Sequence, residues 1–559
     1  ILYMIDSQSD QASQESLEGN RETVSINLMK LFISEKYFKR DNEMFDQVNK
    51  ILSCICNDFI KEQYLKTGGS PSRMKKISGK LLPYGSYKLD TYGPTSDIDI
   101  LLAAPKFVKK KYIFSKLYSR LEKCREIENL RKIESAYVPI MKFTMYGIKI
   151  DFTYSILNKD TIEEDIDLED DTILDGMNPA SIISLNGVRT NNMILNFVHD
   201  KYILFQSVVK LLKIWALRRY ISGNVFGYLG GINLAIIAAH ACQNTHETTP
   251  DLVLLECFLE LSQWDWPHPL KINSIKKGHL KAWSSQANSD DVMPIITPAY
   301  PAINSMRNAT KSSLHRMKRE FNRAYKYTDK IVNGELAWSS LLAPPHFFSD
   351  YRIYIQVSCT AKDKYDIMIW RGIIEKDLRR LTKLLEATQQ VSYAILFPHG
   401  FEEDDLSQHF FCVRYYFALS LDPLAHVNNS SSSYSDSDSP TVSPSPTTTS
   451  VLNQNLQLNQ NMQLNQNLQS NQNIQSSQNL QSNQNIQSSQ KSTYDLIIKQ
   501  IESFSNSMLG HESRMPTMDL KIKILDRRHL PGNVVQRFGS TPIQRSPPKM
   551  KYVHTSEPF

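Results

Sequence analysis

The segment YGSYKLDTYGPTSDIDILLAAP, residues 84–105, holds the densest chemistry in the chain. Gly85-Ser86 leads, ten residues intervene, and Asp97-Ile98-Asp99 then runs into an apolar stretch. In a strand, residues two apart face the same side, so Asp97 and Asp99 project together while Ile98 and Ile100 enter a core. Two carboxylates so close repel unless a divalent cation lies between them. Mg2+ takes oxygen ligands and combines carboxylates with substrate phosphates. The Gly-Ser turn offers backbone N–H groups and a hydroxyl to the same phosphates. A third carboxylate is needed to hold a second ion and to take the proton of an attacking hydroxyl. Asp151, in GIKIDFTY, sits mid-strand between apolar neighbours, where an unpaired charge costs roughly 2 kcal/mol or more, and it is the natural candidate. A lone DxD pair is usually a solvated turn or edge. The Gly-Ser lead, the strand and the later buried aspartate together point to metal-assisted phosphate chemistry.

These residues need a sheet to hold them. ILLAA (100–104), YVPIMKF (137–143) and IKIDFTY (148–154) read as strands, with YIFSKLYSRLEKC (112–124) as a helix between the first two. Upstream, Phe45, Val48, Leu52, Ile55 and Phe59 form one helical stripe. That pattern is an α/β domain. From about 195 to 340 the pattern turns helical. Phe205, Val208, Val209, Leu212, Trp215 and Ala216 share a face, with Lys210, Lys213 and Arg218 largely off it. The last third alternates again: YRIYIQVSC, a helix marked by Ile374, Leu378, Leu381 and Leu385, AILFP, FFCVRYYFALSL, the helix YDLIIKQIESF and the strand LKIKIL. The order β-α-β-β-α-β is that of an RRM-like α+β domain. It is interrupted at 428–490 by Ser/Thr/Pro and then Asn/Gln repeats, which carry no Asp, Glu, Lys or Arg from 451 to 490 and read as disordered. The expected fold class is therefore α/β, then α, then α+β. The boundaries are a tail at 1–25 and domains at 26–190, 191–340 and 341–559.

A chain of 559 residues exceeds what one core serves, so several domains are expected. The net charge of +6 is too small for this length to prove a nucleic-acid partner; local basic clusters (Lys201 to Arg219, Arg307 to Lys326, Lys376 to Lys383, Lys521 to Arg528) must carry that case. The RRM-like domain shows no RNP1 string, which favours phosphate contact over base stacking on its sheet. Seven scattered cysteines without metal spacing read as reduced, buried thiols. The first thirty residues show no signal-peptide pattern, and the longest apolar stretch (227–242) carries Asn233 and His240 and reads as a core helix rather than a membrane span.

The Gly-Ser turn, the DxD strand and the later aspartate resemble the DNA polymerase beta-like nucleotidyltransferase superfamily. LLKIWALRRYISGNVFGYLGGINLAI (211–236), LSQWDWPHPL (261–270), MPIITPAYPAINSMRNAT (293–310), YVPIMKF and LNGVRT (185–190) narrow this to a resemblance to eukaryotic nuclear-type poly(A) polymerases, over roughly 25–425 and 490–530. The resemblance implies template-independent transfer of AMP from ATP to RNA 3′ ends by a monomeric catalyst in the nucleus, within a 3′-end-processing complex. It assigns Asp97, Asp99 and Asp151 to two Mg2+ ions, with Mn2+ as a substitute. It places Tyr84, Gly85, Ser86, Ser96, Ile98 and Lys213 on the nucleotide, with Asn224, Gly231 and Ile232 lining its pocket. Tyr137, Val138 and Lys142 would meet the RNA terminus. Three positions depart from the family pattern: Ser222 stands for a tyrosine, Asp90 for a glycine and Tyr84 for a phenylalanine. An RNA uridylyltransferase and a catalytically silent RNA-binding scaffold are the rival readings.

Overall fold

The computed structural model describes residues 42–93, 96–134, 138–405, 410–422, 493–532 and 534–535. The tail at 1–25, the repeats at 428–490 and Tyr137 lie outside them. Helix α1 (Asn42–Lys66) buries Phe45, Val48, Leu52 and Phe59, the stripe read from the sequence. It packs on a five-stranded mixed sheet of β1 (Lys80–Tyr84), β2 (Ile98–Ala104), β3 (Ile127–Ile133), β4 (Ile140–Met145) and β5 (Ile148–Ile156), in the order β1-β2-β5-β4-β3. A one-turn helix α2 (Gly85–Lys88) follows β1 directly. Only β2 and β5 run parallel. Strands β1 and β3 escape the sequence reading for a physical reason. Both lie at sheet edges, β1 contains Pro83, and β3 is largely exposed, so neither needs an apolar run.

Alternation sets the two faces of β2. Ile98, Ile100, Leu102 and Ala104 enter the core under α1, whereas Leu101 and Ala103 pack with Leu185 and Val188 of α3 (Pro179–Phe197). Asp99 continues the second face beyond Leu101.

Helices α4 (Tyr202–Arg218), α5 (Gly231–Asn244), α6 (Pro250–Gln263) and α7 (Lys311–Val332) surround the largest core. It contains Phe205, Val208, Val209, Leu212, Trp215 and Ala216, as the stripe requires. Not every basic residue counted toward RNA is available to it. Lys201 Nζ donates to the carbonyls of Cys242 and Thr245 at 2.8 and 2.6 Å, a structural role.

The C-terminal sheet contains β6 (Ile353–Ala361), β7 (Val391–Leu396), β8 (Phe401–Asp405), β9 (Phe410–Leu421) and β10 (Asp519–Asp526). Its order is β10-β6-β9-β7, with β8 paired to β9. Without β8 this is the split βαβ order, so the expected class α/β, α, α+β is the one observed; β8 is an added hairpin strand. Helix α8 (Lys364–Glu386) and a helix at 493–509, α9, cover one face through Ile374, Leu378, Leu381, Ile501 and Phe504. The other face is closed too, because Phe347 and Phe348 pack on Tyr354, Phe397 and Tyr416. The absence of RNP1 thus has a structural counterpart: these covered aromatics offer no base-stacking platform. All seven cysteines are free, five of them buried. Among the described residues no helix is long and apolar enough to cross a membrane.

Candidate active site

Strand register draws one polar row across the first sheet. Tyr84 pairs with Asp99, Asp99 with Asp151, and Asp151 with Lys142. Directly opposed residues share a face, so these four side chains emerge together, with Asp97 just before β2. Lys142 Nζ donates to both carboxylate oxygens of Asp151, at 2.8 and 2.6 Å. The charge on Asp151, suspect when read as unpaired, has this partner. Burial pushes the Asp99 carboxyl up to about 7, helped by the charge of Asp151 and opposed by Lys142. Burial likewise raises Asp151, with the Lys142 hydrogen bond acting against it.

The row opens into a cleft of 780 Å3 shared between the sheet and the helices. Its walls include Tyr84, Gly85, Ser86, Ser96, Asp97, Asp99, Val138 and Asp151 from the sheet side, and Lys213, Asn224, Gly231 and Ile232 from the helical side. Ile98 does not line it; its side chain is buried in the core, so only its backbone can take part. Lys142 reaches the cleft through Asp151. Thr190, Asn191, Thr297, Asn304, Ser305 and Arg307 also line it, without an assignment from the sequence. The strings that hold them, LNGVRT with the following Asn191 and TPAYPAINSMR, were conspicuous, but as resemblance rather than as chemistry.

Local conformation explains the turn. Gly85 has φ +68, and a Cβ there would collide with the Asp99 carboxylate, so the backbone approaches that group as only glycine permits. The Gly85 N–H is not left for a phosphate, because it donates to Asn191 Oδ1 at 2.9 Å. The turn therefore offers its hydroxyl and later amides. Gly187 performs a similar service for Tyr84, whose ring would sit 2.9 Å from an added Cβ. Tyr84 Oη lies 3.3 Å from Thr153 Oγ1, and burial raises its phenol.

Opposite the carboxylates, Lys213 Nζ donates to Thr91 O and Thr91 Oγ1 at 2.9 and 3.2 Å. Burial holds this ammonium down to about 8, with Asp99 opposing. Asp90, the acid that replaces a glycine, keeps φ +53, the left-handed conformation a glycine would favour. Its carboxylate accepts from Gln206 Nε2 at 2.9 Å and acts on Lys210, so neighbouring groups take up its charge. Ser222 lies off the cleft wall. Tyr220, two residues away, packs its ring 4.7 Å from Phe397 and is committed elsewhere. The N-terminus of α5, at Gly231, adds helix-end N–H groups to the cleft.

Among the described residues no three His, Cys, Asp or Glu side chains close around one point as a ready-made metal cage. The donor set is instead a pair of adjacent carboxylates, both shifted upward by burial, with Asp97 alongside. Hard oxygen donors that leave positions for phosphate oxygens suit a divalent ion of the magnesium kind.

A mixed sheet thus presents adjacent carboxylates beside a Gly-Ser turn, facing a lysine across one cleft. Three family models match in series. They are described as the poly(A) polymerase nucleotidyltransferase domain at residues 8–198, the poly(A) polymerase central domain at 204–344, and the poly(A) polymerase predicted RNA binding domain at 346–544. Curated relatives include a poly(A) polymerase of Dictyostelium discoideum, 34% identical over 69% of this chain and 47% of its own length. Poly(A) polymerase pla1 of Schizosaccharomyces pombe is 33% identical over 69% of each chain. Nuclear poly(A) polymerase 1 of Arabidopsis thaliana is 32% identical over 65% of this chain and 52% of its own length. The chain belongs to the poly(A) polymerase family. Its matches span about half the length of the Dictyostelium and Arabidopsis relatives.

Proposed function

We propose that this chain adds AMP from ATP to RNA 3′ ends without a template, by in-line attack of the 3′-hydroxyl on the α-phosphorus with pyrophosphate leaving. One observation carries the reading: Asp97, Asp99, Asp151, the Gly85-Ser86 turn and Lys213 all line one cleft, in a chain of the poly(A) polymerase family. Asp97, Asp99 and Asp151 would hold two Mg2+ ions, or Mn2+ in their place, which supply charge neutralisation at the attacking and leaving oxygens. Asp151 accepts the proton of the 3′-hydroxyl. Lys142, whose ammonium sits on Asp151, turns to the terminal RNA phosphate, and Tyr137 and Val138 would meet the terminal adenylate or its phosphates with it. Lys213 pairs with the triphosphate from the far wall. Ser86 and Ser96 bind its oxygens, Tyr84 and the Ile98 backbone border it, and Asn224, Gly231 and Ile232 line the pocket for the base and sugar. The domains run 26–190, 191–340 and 341–559. The site of action is the nucleus, as the names of the Arabidopsis relatives state for them, within a 3′-end-processing complex. Extension of an RNA primer with each of the four NTPs tests this. ATP should be used well above the others; preference for UTP would overturn the assignment in favour of a uridylyltransferase.

A further inference from the structure

A second concave surface lies along α7, outside the cleft. It has a volume of 710 Å3, and none of the eleven residues lining it is acidic. Lys311, His315, Lys318, Asn322 and Tyr325 line it from one side; their spacing of four, three, four and three residues places them on one stripe of the helix. Arg319 joins them, while Tyr393 of β7 and Gln263 at the end of α6 form the other wall. Lys311, Lys318, Arg319 and Asn322 are exposed. Glu386 touches the start of the helix, but its carboxylate accepts the Ser312 N–H at 2.7 Å.

Part of the lining is aromatic. The His315 and Tyr393 rings stack with centroids 3.8 Å apart and planes 15° apart. Burial, with Arg319 and Lys318 nearby, holds the imidazole below its usual range, so His315 contributes a flat surface rather than a fourth positive charge. Tyr325 adds a second ring farther along. Cations and aromatic rings lining one groove are what a single-stranded nucleic acid requires, the former for phosphates and the latter for bases.

Position selects RNA over an acidic protein segment. Arg307 lines the active-site cleft, and the groove begins at Lys311, four residues later. From Lys311 to Tyr325 the helix rises about 21 Å, length for roughly four nucleotides, the low end of single-strand sites. In the C-terminal sheet, the usual alternative platform of an RRM-like fold, the aromatics around Tyr354 and Tyr416 are covered, and Tyr393 on the edge strand β7 is the one that lines this groove.

We propose that the α7 groove binds a single-stranded RNA segment upstream of the 3′ end, as a sequence-tolerant track continuous with the cleft. This rests on the reading of RNA as substrate. The test compares the wild-type chain with Lys311→Ala/Lys318→Ala and with Tyr393→Ala, using an oligoadenylate of five nucleotides and one of twenty. For the longer RNA, the double variant should lose about 10-fold in affinity at moderate salt, and the slope of log K against log salt should fall by about 1.4, two phosphate contacts at about 0.7 each. Tyr393→Ala should weaken the longer RNA several-fold and leave the salt slope alone. The KM for ATP and extension of the five-nucleotide primer should stay near wild type in both, which also shows that the variants fold. Unchanged affinity and slope for the longer RNA overturn the proposal. So does unchanged RNA affinity combined with lost binding of polyglutamate, which would mark the groove as a protein-docking surface. Failure of the wild-type chain to extend any primer would instead refute the underlying assignment of activity.

Discussion

Replacing Gly85 by alanine isolates what the Gly-Ser turn does for the carboxylates. At φ +68 an alanine pays a left-handed backbone penalty of about 1 kcal/mol. In addition, its methyl would overlap Asp99 Oδ2 and stand 3.0 Å from Asp99 Cγ, where carbon contacts ordinarily settle at about 3.5–4.0 Å. The turn cannot yield easily, because its amide is tied to Asn191 and its residues start α2. Asp99 must therefore withdraw by on the order of 1 Å, and a displacement of that size at a reacting centre costs about 10²-fold in rate. Gly147 supplies the control. It sits in the hairpin between β4 and β5 at φ +77, and an added Cβ there meets nothing within 4 Å. Both variants carry the same kind of backbone strain, and only one disturbs Asp99. In primer extension at saturating RNA, Gly85→Ala should lose about 10²-fold in kcat/KM for ATP, while Gly147→Ala stays within about 3-fold of wild type. Circular dichroism melts should show both folded, with Gly85→Ala the less stable. Equal activities in the two variants would refute the claim that the turn sets the position of Asp99.

Three further outcomes follow from the same geometry. Lys213, held down to about 8 by burial, should regain its proton when a triphosphate pairs with it, so ATP binding at pH 8–9 should take up protons in calorimetry across buffers of different ionisation enthalpy; no uptake would separate Lys213 from the triphosphate. Glu320→Ala should destabilise the fold by about 3–5 kcal/mol, because it strands the buried Arg219 guanidinium that Glu320 holds at 2.7 and 3.0 Å; a denaturation midpoint near wild type would contradict this. Tyr220→Phe should leave the KM for ATP alone because that ring is packed against Phe397; a raised KM would place its hydroxyl in the nucleotide site after all.

The sequence made the carboxylate row partly legible. Alternation put Asp97 and Asp99 on one side of a strand, and burial cost singled out Asp151. It could not show that Asp99 and Asp151 are register partners, because β2 and β5 lie about fifty residues apart and pair in parallel only after β3 and β4 have folded back. The Lys142–Asp151 contact was hidden for the same reason, since it depends on cross-strand register. The sequence leaves the Gly85 amide open to a phosphate, whereas in the fold it donates to Asn191, 106 residues on in a helix that no local pattern brings to the turn. Helical stripes in α1, α4 and α8 were plain, since periodicity records which face is buried. The edge strands β1, β3 and β8 were not, because an edge needs little apolar surface.

The central claim is that the aspartate row carries nucleotidyl transfer to RNA, and pyrophosphate release measured with RNA primer, ATP and Mg2+ addresses it without intermediaries. Asp97→Asn, Asp99→Asn and Asp151→Asn should each lose at least ~10³-fold relative to the wild-type chain while melting near its temperature. Release within a few-fold of wild type by any one of the three folded variants would contradict the account.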